Sequence, residues 1–505
     1  MKGVQRLKLL NSKTLKVAKT QNGMFIFVRH TSVAAAPSYE HLPGPKSLPV
    51  IGSFYKYLPG GGYSMKLVTQ TGTRMNRAYG QIVREQIMPG VNMIRLFNPD
   101  DIETVFRQEG KYPERIPLLP LKQYRDHRGL VGGLATVNGE EWQRYRSLVQ
   151  KEMMRPGHVA AYIPAQEEVS EDFVKRMRHL RGDNNEVPDF LQELYRWGCE
   201  SIGVVCFDQR IGTLDLEDNK EALEFIANVN TTFRCMHKSM FLIRFIKGGF
   251  EPKTFRDLCN AMDILWKYTV KFVDSAGERS GNDESLLNKL LNMPNLSRTE
   301  ATVMVADLFA GGVDTTAHSL GFILYHLTRN PDVQQKLYEE IMNKAPEGQP
   351  LNGKVVNEMS YLRAVMKESL RLTPTIVPGT MRYLEKDVVL SGYHIPAGMG
   401  LYMHNDVISR MPKYFEEPER FMPERWLRDS RNTTSCPIHP FASLPFGHGP
   451  RMCIGKRFAE QEILLGVIKI LQNFEVQYHY EDIGQVLRLV NMPDKPLKFT
   501  FIDRK

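Results

Sequence analysis

A long apolar run opens at Ser297-Arg298-Thr299-Glu300 and continues to Arg329. Serine followed three residues later by glutamate is capping-box spacing, in which each side chain satisfies a backbone N–H that the first helical turn leaves free. Asn330-Pro331 stops the run and starts another helix, because proline fits a first turn but not a helix interior. About 32 residues rising about 1.5 Å each make a rod of roughly 48 Å, enough to cross a whole domain. The spacing predicts a further helix over Ser360 to Leu372, closed by Pro374, and an amphipathic one over Ile454 to Phe474. Short runs at Val388-Val389-Leu390 and Tyr393-His394-Ile395-Pro396 predict a small β region. The pattern therefore describes a mainly α fold with a minor β region. No Ser/Gly-rich linker or repeat interrupts it after residue 40, so a single large helical domain over 40–505 is expected.

Charge changes the picture only at one end. The chain of 505 residues has a formal charge of +9. Residues 1–39 hold Lys2, Arg6, Lys8, Lys13, Lys16, Lys19 and Arg29, and no acid; beyond them 59 basic residues face 57 acids. Such a balanced body is not that of a nucleic-acid-binding protein. Leu7, Leu9, Leu10, Leu15 and Val17 can share one face of a helix. A basic, acid-free, amphipathic leader is the pattern of a cleavable mitochondrial presequence. The leader's longest apolar stretch, Met24 to Val28, falls far short of the roughly 20 residues that cross a bilayer. Leu42-Pro43-Gly44-Pro45 and Leu48-Pro49-Val50-Ile51-Gly52 stop any leader helix and give a stiff approach to the domain. Six cysteines without CxxC spacing argue against a zinc site or disulfide framework and for a reducing compartment.

The chemistry concentrates in Phe446-Gly447-His448-Gly449-Pro450-Arg451-Met452-Cys453-Ile454-Gly455. Glycines let this backbone approach something flat and bulky. The helix that follows aims its N-terminal N–H groups at the Cys453 sulfur and favours a thiolate. A thiolate with room on one side suits an axial haem ligand that pushes electron density onto iron for O–O cleavage. Inside the long helix lies Ala310-Gly311-Gly312-Val313-Asp314-Thr315-Thr316. Two mid-helix glycines cost about 1 kcal/mol each, justified if they admit a flat group or let the helix widen locally. Asp314 and Thr315 then offer a carboxylate and a hydroxyl beside that opening. Activation of dioxygen needs two protons, which such a pair can relay.

The spacing of Phe446, Gly449, Arg451, Cys453 and Gly455 resembles the haem-binding loop of cytochrome P450 enzymes, and the likeness covers residues 40–505. The branch it most resembles is mitochondrial, with an arthropod flavour. The resemblance implies haem b (iron protoporphyrin IX) as cofactor and monooxygenation as activity. It implies that Thr315 hydrogen-bonds dioxygen and that Asp314 delivers protons. It joins Glu368 and Arg371, already i, i+3 on one helix, to Arg425 in a buried three-charge network. It assigns Trp142, Arg146, Arg382 and Arg451 to the haem propionates, Arg144 being a weaker candidate. It assigns Arg363, Lys367, Lys456 and Arg457 to docking an adrenodoxin-like ferredoxin, which receives electrons from NADPH through a ferredoxin reductase. It places substrate contacts at Ile116 to Leu121, Ile376 to Pro378 and Val490 to Met492, and the enzyme on the matrix side of the inner mitochondrial membrane. Residues 233–250 mix apolar and basic side chains and read either as a peripheral membrane contact beside a substrate lid or as a core helix. The substrate is lipophilic, a steroid or ecdysteroid-like compound or a xenobiotic; the sequence does not separate these. A haem-thiolate isomerase or dehydratase and a haem-based gas sensor are the competing functions.

Overall fold

The computed structural model describes residues 15–19, 25–29 and 36–504, apart from 218, 248–249, 279–283 and 428–437. The long helix spans Arg298–Thr328, and its capping box is complete. The Glu300 N–H donates to Ser297 Oγ at 3.2 Å, and the Ser297 N–H donates to the Glu300 carboxylate at 2.8 Å. Apolar residues on every side of this helix, among them Val303, Met304, Leu320 and Ile323, are fully buried. A helix apolar all round belongs at the centre of a domain. Around it pack the helices Phe190–Cys206 and Lys456–Asn473, with Ile163–Leu180 against both of these. Trp197 lies where three of them meet: its ring touches the backbone at Gly466, and its indole N–H donates to Ser170 Oγ at 3.3 Å. Each such large side chain taken from water stabilises the core by about 1.5–3 kcal/mol.

A four-stranded sheet runs in the order Ile82–Met88, Val91–Leu96, Gly400–Met403, Met381–Tyr383. Its central pair, Val91–Leu96 with Gly400–Met403, is parallel and the outer pairs are antiparallel. The expected β region is present, Val388–Leu390 pairing antiparallel with Tyr393–Ile395. The sheet carries Arg382 toward the cysteine loop, where its guanidinium donates to His448 O at 3.4 Å.

One expectation needs correction, and one open alternative is decided in part. Leu15–Lys19 and Phe25–Arg29 form an antiparallel two-stranded ribbon, so Leu15 and Val17 are not on a helix. The β-branched and aromatic residues of Phe-Ile-Phe-Val suit a strand and give Leu15–Lys19 its partner; Leu7, Leu9 and Leu10 lie outside the described residues. Residues 233–247 continue the helix Lys220–Lys247. At Met236 the core reading is right, since Cys235 and Met236 are buried with Leu121, Tyr124 and Phe255. Met240 is exposed, and the side chains from Phe241 to Ile246 lie outside the described residues. Among the described residues no helix is long and apolar enough to cross a membrane.

Candidate functional site

The segment from Phe446 to Gly455 is a tight loop leading into the helix Lys456–Asn473. Gly447 and Gly449 have φ of 69° and 74°, where only glycine is free of Cβ strain. The Cys453 N–H donates to Phe446 O at 2.8 Å. Gly455 caps the helix, and its N–H is directed at the Cys453 sulfur. Burial pushes the Cys453 thiol up, against the pull of that N–H and of the Arg146 charge. Yet the side chain is accessible. A group both desolvated and accessible borders an interior space. Cys199, Cys206, Cys235 and Cys259 are by contrast buried.

The long helix borders such a space at Ala310 and Gly311, which are exposed in the middle of an otherwise buried rod. A Cβ at Gly311 would meet nothing within 4 Å, whereas one at Gly312 would meet Ile202 Cγ1 at 2.7 Å. Gly311 therefore makes the opening, and Gly312 allows close packing of two helices. The helix stays α-helical through both, which favours the admission of a flat group over local widening as the use of Gly311. Thr315, one turn beyond Gly311, donates its hydroxyl to Gly311 O at 2.8 Å. Asp314 is turned away. It is buried, with Oδ1 3.2 Å from His318 Nε2 and a hydrogen bond to the Tyr195 hydroxyl. Successive helical residues diverge by about 100°, so two neighbours do not share the open face as the sequence reading had it.

Four arginines converge near the cysteine. Arg451 donates to Pro113 O and to Asn138 Oδ1, both at 2.5 Å, and its guanidinium lies 4.1 Å from the Trp142 ring centre. Burial pushes it down to about 9, helped by repulsion from Arg115, Arg382 and Arg146. Arg146 donates to Gln150 Oε1 at 2.8 Å and is lowered by burial to about 10. Arg382 pairs with Glu109. Arg115 is lowered by burial and by Arg382, feels both Cys453 and Asp307 of the long helix, and has a buried Nε without a partner. One paired acid does not balance this positive charge. A desolvated excess of guanidinium calls for an anionic occupant with more than one carboxylate-like group.

The cytochrome P450 family model matches residues 42–501. The chain belongs to the cytochrome P450 family. It is 35% identical to the mitochondrial 1,25-dihydroxyvitamin D(3) 24-hydroxylase of Mus musculus, over 92% of this chain and 89% of that one. It is 34% identical to the probable cytochrome P450 49a1 of Drosophila melanogaster, over 92% and 83%. It is 33% identical to the mitochondrial cytochrome P450 302a1 of the same fly, over 92% and 95%. This cytochrome P450 is a monooxygenase that binds haem b through a cysteine thiolate. The residues fit that group. A flat dianion answers the arginine excess, an accessible sulfur is at hand, and Gly311 withholds a side chain from the opening.

The charged network of this cytochrome P450 is assembled in full. Glu368 receives Arg371 at 2.7 and 2.9 Å, Arg425 at 3.0 Å, and the Trp426 indole N–H at 2.9 Å. Glu368 and Arg371 are fully buried and Arg425 nearly so. Arg371 also donates to the carbonyls of Ser409 and Pro418. Of the cations expected to dock a partner, Arg457 and Lys367 are exposed, with Lys367 6.0 Å from the Trp426 ring centre. Arg363 is half-buried beside Asn357, and Lys456 reaches Glu460 at 4.0 Å. Arg144 pairs with Glu300 at the surface, away from the other arginines. Asp100, Glu103 and His439 form a cluster with metal-like spacing. There the Phe441 N–H donates to His439 Nδ1 at 3.1 Å, so the neutral ring carries its proton on Nε2 and withholds that nitrogen from a metal.

Arg115, Tyr195 and His318 were missed from sequence. His318 had a signal, standing one turn after Asp314 on the same helical face. Arg115 had only its place before the segment flagged for substrate contact.

Proposed function

We propose that this cytochrome P450 inserts one oxygen atom of O2 into a lipophilic substrate of steroid, ecdysteroid or xenobiotic type. Electrons come from NADPH through a ferredoxin reductase and an adrenodoxin-like ferredoxin. Cys453 would ligate the haem through its thiolate, and Arg115, Arg146, Arg382 and Arg451, with Trp142, would hold the haem carboxylates. The observation that carries this reading is an accessible sulfur in a desolvated loop, with the Gly455 N–H directed at it. Haem, when bound, supplies the dioxygen chemistry. The chain does the positioning. The Gly455 N–H and the Arg146 charge favour the ionised form of the Cys453 sulfur. Thr315 keeps its hydroxyl on the face of Gly311, where, on turning from Gly311 O, it would donate to dioxygen. Asp314, held by His318 and Tyr195, is the nearby acid from which protons are passed. The relative named for hydroxylating a vitamin D compound supports a sterol-like substrate.

The mitochondrial names of two relatives and the basic, acid-free leader support residues 1–39 as a presequence and a place on the matrix side of the inner membrane. Exposed Val50, Ile51, Phe54 and Leu58 support peripheral membrane contact. Arg363, Lys367, Lys456 and Arg457 form the cationic surface for an acidic ferredoxin, an association that charge makes fast and salt-sensitive.

Reconstitution with ferredoxin and its reductase tests the reading, against ecdysteroid precursors and insecticides that give a type I spectral shift. Product should form only with both proteins and O2; turnover without a ferredoxin would point to an isomerase or dehydratase. In that assay Thr315→Ala should lower product formed per NADPH by about tenfold while NADPH consumption continues, less than the roughly 10²–10⁴-fold of a full general-acid effect because water can take the place of the hydroxyl. Unchanged coupling removes Thr315 from proton handling. Reversing charge at Arg363 and Lys367 should weaken ferredoxin binding by about tenfold at low salt and leave the type I titration unchanged. Equal effects on both would exclude them as docking residues.

A further inference from the structure

Asp307 lies one turn before Gly311 and two before Thr315, on the open face of the long helix. Its carboxylate is not free to meet a substrate. Arg125, on the helix Leu119–Arg128, donates to Asp307 Oδ1 at 2.6 Å and Oδ2 at 3.5 Å, and both side chains are 6% exposed. The Ala135 N–H donates to the same carboxylate at 3.3 Å, and Arg125 also reaches Thr136 Oγ1 at 3.3 Å. A Cβ at Gly133 would meet Asp307 Oδ2 at 2.3 Å, so the chain after Leu119–Arg128 lies directly on this pair. The other side of that helix is tied at the surface, Arg128 donating to both Asp263 carboxylate oxygens at 2.9 and 2.7 Å and the Tyr124 hydroxyl to Oδ1 at 3.0 Å, with the Arg128 and Asp263 side chains well exposed. Residues 119–136 thus form a strap across the open face, held by a buried ionic clamp at Asp307 and, on the other side, by Asp263 and the packing of Leu121 and Tyr124.

We propose that the Arg125–Asp307 pair is a specificity-determining clamp, which fixes how far the strap yields to bulky apolar ligands on their way to the face of Gly311 and Thr315. This rests on the reading of that face as the distal side of a haem site. The pair is neutral and internally satisfied, so it offers the ligand a closed wall rather than a polar contact. Size, not hydrogen bonding, is then what the clamp discriminates.

Azoles of two sizes bound to the haem-loaded enzyme test this, followed by the spectral shift of nitrogen ligation. In Asp307→Asn the association rate of clotrimazole should rise about tenfold, a 1.4 kcal/mol easing of the opening, while that of imidazole stays within about twofold, below what one lost contact costs. Amide hydrogen exchange over 119–136 should rise, with that of Phe190–Cys206 unchanged. Arg125→Lys, which keeps the charge but not the two-pronged contact, should give an intermediate rate and serves if the first variant does not fold. Equal changes for both azoles, or no change for either, would overturn the clamp. An error in the haem assignment would appear differently, as no azole shift in any variant.

Discussion

Cys453→Ala is expected to abolish monooxygenase activity and the thiolate-type Soret band of the dithionite-reduced carbonyl complex. A haem without its sulfur ligand loses the electron push that O–O cleavage requires, and no other cysteine among the described residues is accessible. The expected fall exceeds about 10³-fold, or about 4 kcal/mol of transition-state stabilisation. Cys259→Ala, at a buried thiol in the packing around Phe255, should leave the band in place. Retention of the thiolate band in Cys453→Ala would assign the ligand elsewhere.

Glu368→Ala should be the most damaging change that touches neither cofactor nor substrate. It leaves Arg371 and Arg425 buried without their carboxylate and the Trp426 N–H without an acceptor. Breaking a buried pair from one side costs about 3–5 kcal/mol, against a total stability of about 5–15 kcal/mol. Little haem-loaded protein should accumulate, and what does should unfold at lower denaturant. The exposed i, i+4 pair Lys122–Asp126 is the control; Asp126→Ala should cost less than about 1 kcal/mol. If Glu368→Ala costs no more than Asp126→Ala, the network is not a structural keystone.

These two sites differ in how they could be read. The Cys453 loop and the Ser297–Glu300 capping box are local, with partners within ten residues, so spacing alone exposes them. Glu368 and Arg371 are a pair on paper like any other surface pair; their burial came from apolar neighbours and from family likeness, and Arg425 stands 57 residues away. Arg115 and the Arg125–Asp307 clamp have no pattern in the chain at all, because only folding brings residue 125 to residue 307. Asp314 was misdirected for a different reason. The motif gave its neighbourhood correctly, but helical phase, with His318 at i+4, decides which way the carboxyl turns. In the leader, the charges read clearly and the secondary structure did not, since lysines three apart at Lys13, Lys16 and Lys19 follow a helix period while Leu15–Lys19 pairs as a strand with Phe25–Arg29.

The crowd of guanidinium groups around Arg451 has a bearing on biogenesis. Four like charges that repel one another in a dry setting make the porphyrin-free chain the less stable form, so compaction and prosthetic-group capture should proceed together. Cellular abundance of this enzyme should accordingly follow the supply of tetrapyrrole more closely than the supply of its messenger.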